Sequence, residues 1–235
     1  MMPRLEVKIC GLTRPAEAAA IAAAGADAIG LVFHPASPRH LEPARAREIA
    51  AALPPDVPAV GVFADAAADR IAQIADRAGA RIVQLHGAES AETIAFLLAR
   101  GFAVLKAVKA VGPGALRAAR NLPDGCGLLV ECGAGPLPGG NGAAWNWADA
   151  APFAAIRPFA LAGGLTPDTA AAAAAAARAS AVDLSSGVET APGRKSLEKC
   201  RRLMENLRCS AVAWPVSPLF RGDRSKGMLS CPVNR

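Results

Sequence analysis

The chain has 235 residues, long enough for one large domain, and 52% of them are hydrophobic, which supplies a sizeable core. Half of its formal charge of +6 comes from the residues after Arg208, where Arg221, Arg224, Lys226 and Arg235 face only Asp223; the body is mildly basic and lacks the aromatic and cationic stripe that single-stranded nucleic acid requires. Six cysteines without a C-x-x-C pair or a zinc-type histidine pattern read as free thiols, and the alanine-rich run from Ala16 is broken by Glu17 and Asp27, so the chain is expected in a reducing compartment, the cytoplasm, with neither a membrane nor a nucleic-acid partner and no metal.

Strand-type apolar runs are predicted at residues 5–9, 28–32, 58–63, 82–85, 103–106, 128–130, 159–162 and 181–184. Alanine-rich amphipathic stretches follow them at 15–24, 43–52, 66–78, 91–100, 114–121, 147–156, 167–179 and 197–207. The alternation repeats at about 21 to 31 residues per unit, the spacing that a parallel crossover needs. This predicts an α/β chain folded as a single (βα)8 TIM barrel over residues 1–208. A doubly wound open sheet fits the same alternation, but it predicts a dominant Gly-rich loop after the first strand, whereas here the phosphate-type turns come last. Alanine is the best helix former, so the run Ala170–Ala177 reads as an outer helix with shallow packing. Residues 209–235 have no period and are expected to form an irregular basic tail, poorly ordered and outside the barrel.

Catalytic groups of such a barrel stand at the C-terminal ends of its strands. Along the first strand, alternation puts Leu5, Val7 and Ile9 toward the helices and Glu6, Lys8 and Cys10 inside, with Cys10 at the rim and Lys8 one layer below. A thiol becomes a usable base when a neighbouring cation favours the thiolate, and Lys8 is the candidate cation. The second strand leads into a loop with two prolines that carries Arg39, a planar fork for a carboxylate. His86 ends the fourth strand, where it either contacts substrate or, the favoured reading, holds its loop. Glu131 ends the sixth, followed by a Gly/Pro-rich loop at 133–142 that has the character of a lid over an acid catalyst. Asp183 points inward from the eighth strand, the neighbour of the first in a closed barrel, and is predicted to pair with Lys8 because an unpaired interior ammonium is costly. The seventh and eighth strands end in Gly163-Gly164 and Ser185-Ser186-Gly187, small-residue turns that let a phosphate approach backbone N–H groups.

These residues make the chain resemble the phosphoribosylanthranilate isomerases of tryptophan biosynthesis, through Lys8-Ile-Cys-Gly-Leu-Thr13, Gly30-Leu-Val-Phe33 with Ser37-Pro-Arg39, Val60-Gly-Val-Phe63, Gln84-Leu-His-Gly87, Leu137-Pro-Gly-Gly-Asn-Gly142, Leu161-Ala-Gly-Gly-Leu165 and Val182-Asp-Leu-Ser-Ser-Gly-Val-Glu189. The resemblance covers nearly everything up to Arg208. It implies a cofactor-free, cytoplasmic aldose-ketose isomerase, a monomer or weak dimer, acting on a small phosphoribosyl substrate. It also implies roles. Cys10 would be the general base at C2 and Glu131 the acid that opens the furanose, Arg39 would hold the anthranilate carboxylate, and the turns at Gly163-Gly164 and at Ser185, Ser186 and Gly187 would hold the phosphate. By the reading of the strand ends above, Lys8, His86 and Asp183 would support them. The related histidine-pathway isomerases carry an aspartate base on the first strand, which Cys10 argues against. The chain departs from the family pattern at Glu131, where the family has aspartate, at Cys132-Gly133, at Trp145-Asn146-Trp147 and at Ser196. The alternative expectation is therefore a barrel that keeps the phosphate seat but turns over poorly.

Overall fold

The apolar runs become strands because β-branched and leucine side chains, alternating above and below each run, find a buried surface on both faces of a parallel sheet. A computed structural model describes residues 5–112, 114–132, 145–210 and 219–220. Its strands are β1 (Glu6–Cys10), β2 (Ala28–Val32), β3 (Ala59–Phe63), β4 (Ile82–Leu85), β5 (Ala103–Lys109), β6 (Cys126–Glu131), β7 (Phe159–Ala162) and β8 (Ala181–Leu184). Each pairs in parallel with the next and β8 closes on β1, so the predicted barrel is present and the open-sheet alternative is not. β5 and β6 run longer than predicted because they pair register by register from Val104↔Cys126 to Lys109↔Glu131.

The helices are α1 (Pro15–Ala23), α2 (Pro43–Ala51), α3 (Ala68–Ala78), α4 (Ala91–Ala99), α5 (Ala115–Arg120), α6 (Ala170–Ala177) and α7 (Leu197–Arg208). Between β6 and β7 the place of a helix is taken by a 3₁₀ segment, Trp147–Ala155, with Pro152 inside it. Proline interrupts a regular α-helix, because it lacks the N–H and its ring crowds the carbonyl four residues earlier. α1 and α2 open on Pro15 and Pro43, residues already set for a first helical turn. Ser90 and Ser196 cap α4 and α7 by accepting from the N–H groups of Thr93 and Lys199. Ser196 therefore does at this helix start what an aspartate there would do. A further element was not foreseen: β9 (Glu189–Ala191) and β10 (Arg194–Lys195) form a small antiparallel hairpin around Pro192-Gly193.

The period-two alternation sorts the strands into two cores. Val7, Ile9, Leu128, Val130, Phe159 and Val182 face outward into the main cluster shared with the helices. Ala28, Val60, Ile82, Leu105, Leu129 and Ala160 face the barrel axis. α6 contributes Ala170, Ala173, Ala174 and Ala177 to the outer core, a buried stripe at helical spacing built from alanine alone. The tail departs from expectation at two residues: Leu219 and Phe220 are 4% and 5% exposed and belong to the inner cluster. The rest of the tail beyond Ser210, and the lid candidate at 133–142, lie outside the described residues.

Candidate active site

Inward alternation delivers Lys8 and Cys10 on β1, Gln84 on β4, Glu131 on β6 and Asp183 on β8 to the barrel interior. Lys8 and Asp183 are direct neighbours across the β1–β8 seam, and Nζ of Lys8 donates to both carboxylate oxygens at 2.9 and 2.8 Å. The predicted pair is thus present. Burial opposes the charge on Lys8, but Asp183 and Cys10 together more than offset it and the pKa of Lys8 is raised.

Cys10 stands one layer higher, 9% exposed. Its Sγ has room because the residue beside it on β2 is Gly30, where an added Cβ would lie 2.7 Å from Sγ and 2.9 Å from the Cys10 Cα. The expected thiolate-favouring effect of Lys8 is present but does not prevail. Burial pushes the Cys10 thiol above its usual value, and the attraction of Lys8, already committed to Asp183, offsets only part of that.

Glu131 is the last residue of β6, and its Oε2 lies 3.0 Å from Nε2 of His86, within ion-pair reach but off the line of a hydrogen bond. Nδ1 of the same ring is 2.7 Å from the Gln84 amide nitrogen. His86 is therefore turned toward Glu131, against the favoured expectation that it mainly holds its loop. Other groups hold that loop: Lys106 donates to the Gly87 carbonyl at 2.6 Å, and the Glu89 carboxylate accepts from the N–H groups of Gly87 and Asp65.

Arg39 reaches in from the loop after β2. Its Nε and Nη2 donate to the two oxygens of Glu189 at 2.8 and 2.6 Å, which leaves the end-on edge of the guanidinium for a second carboxylate. Glu189 also accepts from Lys195 at 2.7 Å and from the Gly193 N–H at 3.1 Å. Lys195 continues to the Ser185 carbonyl and hydroxyl at 3.1 and 3.2 Å, and the Ser185 hydroxyl donates to the Cys10 carbonyl at 3.0 Å. One carboxylate shared by two cations explains the electrostatics. Burial alone would raise the pKa of Glu189, but the hydrogen bonds from Arg39 and Lys195 hold it below the usual carboxylate value. Burial pulls Lys195 down, with Glu189 opposing and Arg39 adding to the fall.

The two small-residue turns pack on each other. Gly163 and Gly164 have φ of 91° and 67°, a region open to glycine and strained for most side chains, and a Cβ at Gly187 would run into the Leu165 carbonyl. The indoles of Trp145 and Trp147 donate to the carbonyls of Ala162 and Gly163 at 3.3 and 3.1 Å, so the segment that departs from the family pattern braces the first turn.

Cys10, Arg39, His86, Glu131, Asp183 and both turns, Gly163-Gly164 and Ser185-Ser186-Gly187, line a single pocket at the C-terminal mouth; Lys8 lies beneath it. Val32, Val62 and Phe63 give the pocket an apolar wall. Sequence reasoning missed Gln84, Glu189 and Lys195 as site residues. The Pro192-Gly193 turn signal was available and would have brought Lys195 across to Glu189, its partner in the hairpin register. A thiol, a carboxyl, a guanidinium and two small-residue turns around one pocket suit proton transfers on a small anionic molecule.

Comparison with known proteins points to one family. Residues 7–206 match the family model described as N-(5'-phosphoribosyl)anthranilate (PRA) isomerase. A relative named N-(5'-phosphoribosyl)anthranilate isomerase in Desulfatibacillum aliphaticivorans is 40% identical over 216 residues, covering 92% of this chain and 99% of the relative. The solved phosphoribosyl anthranilate isomerase of Thermus thermophilus is 38% identical with a TM-score of 0.79, covering 87% of this chain and 98% of that one. A second solved isomerase, in complex with reduced 1-(o-carboxyphenylamino)-1-deoxyribulose 5-phosphate, is 33% identical with a TM-score of 0.77 over the same shares of the two chains.

Proposed function

This chain belongs to the N-(5'-phosphoribosyl)anthranilate isomerase family of tryptophan biosynthesis, and from that premise we propose that it performs the Amadori rearrangement with Cys10 as base and Glu131 as acid. The substrate is N-(5-phosphoribosyl)anthranilate and the product 1-(2-carboxyphenylamino)-1-deoxyribulose 5-phosphate. Glu131 gives its proton to the furanose oxygen as the C1–O bond breaks and the anilino nitrogen forms a C=N bond. The Cys10 thiolate then takes the C2 proton, the electron pair moves to the iminium, and the enaminol ketonises as C1 is protonated. Arg39 offers its end-on edge to the anthranilate carboxylate while Glu189 occupies the other edge. Val32, Val62 and Phe63 give the aromatic ring an apolar face, and the turns at Gly163-Gly164 and Ser185–Gly187 receive the phosphate.

The observation that carries the reading is one pocket lined by a thiol, a carboxyl, a guanidinium and the paired turns together. A positioned acid or base contributes about 10²- to 10⁴-fold to such a step. Glu131→Gln is therefore expected to lower kcat by at least about 100-fold in a fluorescence assay of substrate consumption; a smaller loss contradicts Glu131 as the acid.

A second reading is a barrel that binds the phosphoribosyl group but turns over slowly, because glutamate carries one methylene more than the family aspartate. A displacement on the order of 1 Å can cost about 100-fold. The Glu131 carboxyl, 3.0 Å from His86 Nε2, lies among the groups that line the pocket, which supports the active reading. The two readings separate on Glu131→Asp: the active enzyme changes by less than about tenfold, the impaired barrel gains about 100-fold.

A further inference from the structure

We propose that the N-terminal mouth of the barrel is a docking site for the chain's own C-terminal extension, which enters with Leu219 and Phe220 and completes a core layer that the strands leave underfilled. The interior of a (βα)8 barrel is ordinarily filled by bulky branched side chains from alternate strands. Here four inward positions near the strand starts are alanine: Ala28 on β2, Ala103 on β5, Ala160 on β7 and Ala181 on β8. Each falls several methylenes short of the leucine or isoleucine that would fill the layer. Leu219 and Phe220, 4% and 5% exposed, lie in the same cluster as these alanines and supply the missing volume. An interior left unfilled would lose contacts on every wall that faces it.

The docking is polar as well as apolar. Glu6 is the first inward residue of β1, 6% exposed, and its Oε2 accepts from the backbone N–H of both Leu219 and Phe220, at 2.5 and 2.9 Å. Two adjacent amides on one carboxylate oxygen fix the entry of the segment to a single register, so that both side chains meet the alanine layer. The family model's match ends at residue 206, so the occupant lies beyond the residues that model covers. The site is at the opposite end of the barrel from the Cys10 pocket, on the face that serves stability rather than catalysis. The proposal does not rest on the isomerase reading.

The test uses the full chain. Hydrogen exchange read by mass spectrometry on the wild type should show the amides of Leu219 and Phe220 protected well beyond unstructured rates; exchange at unstructured rates overturns the docking. In the double variant Leu219→Ala, Phe220→Ala the melting temperature should fall by on the order of 10 °C, and an unchanged value overturns the filling role. Glu6→Gln keeps the size and one acceptor but loses the charge, and should accelerate exchange at the same two amides with a smaller fall in melting temperature; unaltered exchange overturns the anchor. Below the melting temperature of the double variant, kcat/KM should stay within about twofold of wild type, because the catalytic face is built from other residues. A loss beyond tenfold in the folded variant would overturn docking as a purely structural contact. The melting and exchange readouts stand whether or not the chain is the isomerase proposed above.

Discussion

Cys10 holds its proton more tightly than a thiol in water because burial disfavours the thiolate, and the opposing pull of Lys8 is itself countered by the Asp183 carboxylate. The base is the deprotonated form, so its population grows with pH. Alkylation of Cys10 by iodoacetamide, read at that residue by mass spectrometry, should therefore still be accelerating above about pH 8.5, the ordinary thiol value, and a rate already level by about pH 7 would contradict the raised thiol. Gly30 sets where that sulfur sits. Gly30→Ala should push Sγ off line and cost about 10- to 100-fold in kcat, with KM little changed, as steady-state kinetics would show. Glu189 is the joint between the Arg39 guanidinium and, through Lys195, the Ser185 turn, and Glu189→Gln should raise KM more than it lowers kcat, because it loosens Arg39 without touching the proposed acid or base. It also carries a stability signature. The folded pKa of Glu189 lies below its usual value of 4.5, so its contribution is complete above that value and is lost as pH falls toward the folded pKa. Acid unfolding of Glu189→Gln should therefore be flatter below about pH 4.5 than that of wild type. At this scale Cys10, Glu131 and Asp183 were legible in the sequence, because position at a strand end and alternation along it determine direction. Gln84, Glu189 and Lys195 were not, since Arg39 and Glu189 are 150 residues apart and their contact depends on how two loops fold back over the mouth.

Among the elements, the turns after β7 and β8 show why small residues come in pairs there. Gly187 is pressed against the Leu165 carbonyl, so a methyl group at that position must separate the two turns proposed to seat the phosphate. Gly187→Ala is expected to raise KM for the phosphorylated substrate by more than tenfold and to destabilise the fold by about 1–3 kcal/mol, measured by kinetics and chemical denaturation. An unchanged KM would detach this turn from phosphate binding. The eight strands were legible because their apolar runs are short, separated and bounded by turn residues. The 3₁₀ segment Trp147–Ala155 was legible as helical but not in its coil type, with Pro152 interrupting a regular α-helix there. The hairpin of β9 and β10 escaped notice because its strands are three and two residues long, too short for any period to register.

For the whole molecule, closure of the sheet turns a one-dimensional pattern into a site. The register between β8 and β1 puts Lys8 beside Asp183, and that seam supports the floor beneath Cys10. The barrel was legible because eight alternations at crossover spacing leave few other arrangements. The docking of Leu219 and Phe220 was not legible, since a two-residue contact with the opposite end of the chain leaves no local periodic signal. The account depends on one physical arrangement, a thiol and a carboxyl serving the same bound sugar. Its most direct test is the single-turnover rate of furanose consumption, followed by substrate fluorescence, in the wild type and in Cys10→Ala. The arrangement predicts measurable turnover in the wild type and a loss of at least about 100-fold in the variant, with phosphate-site affinity for the product retained. Equal rates in the two proteins would contradict it.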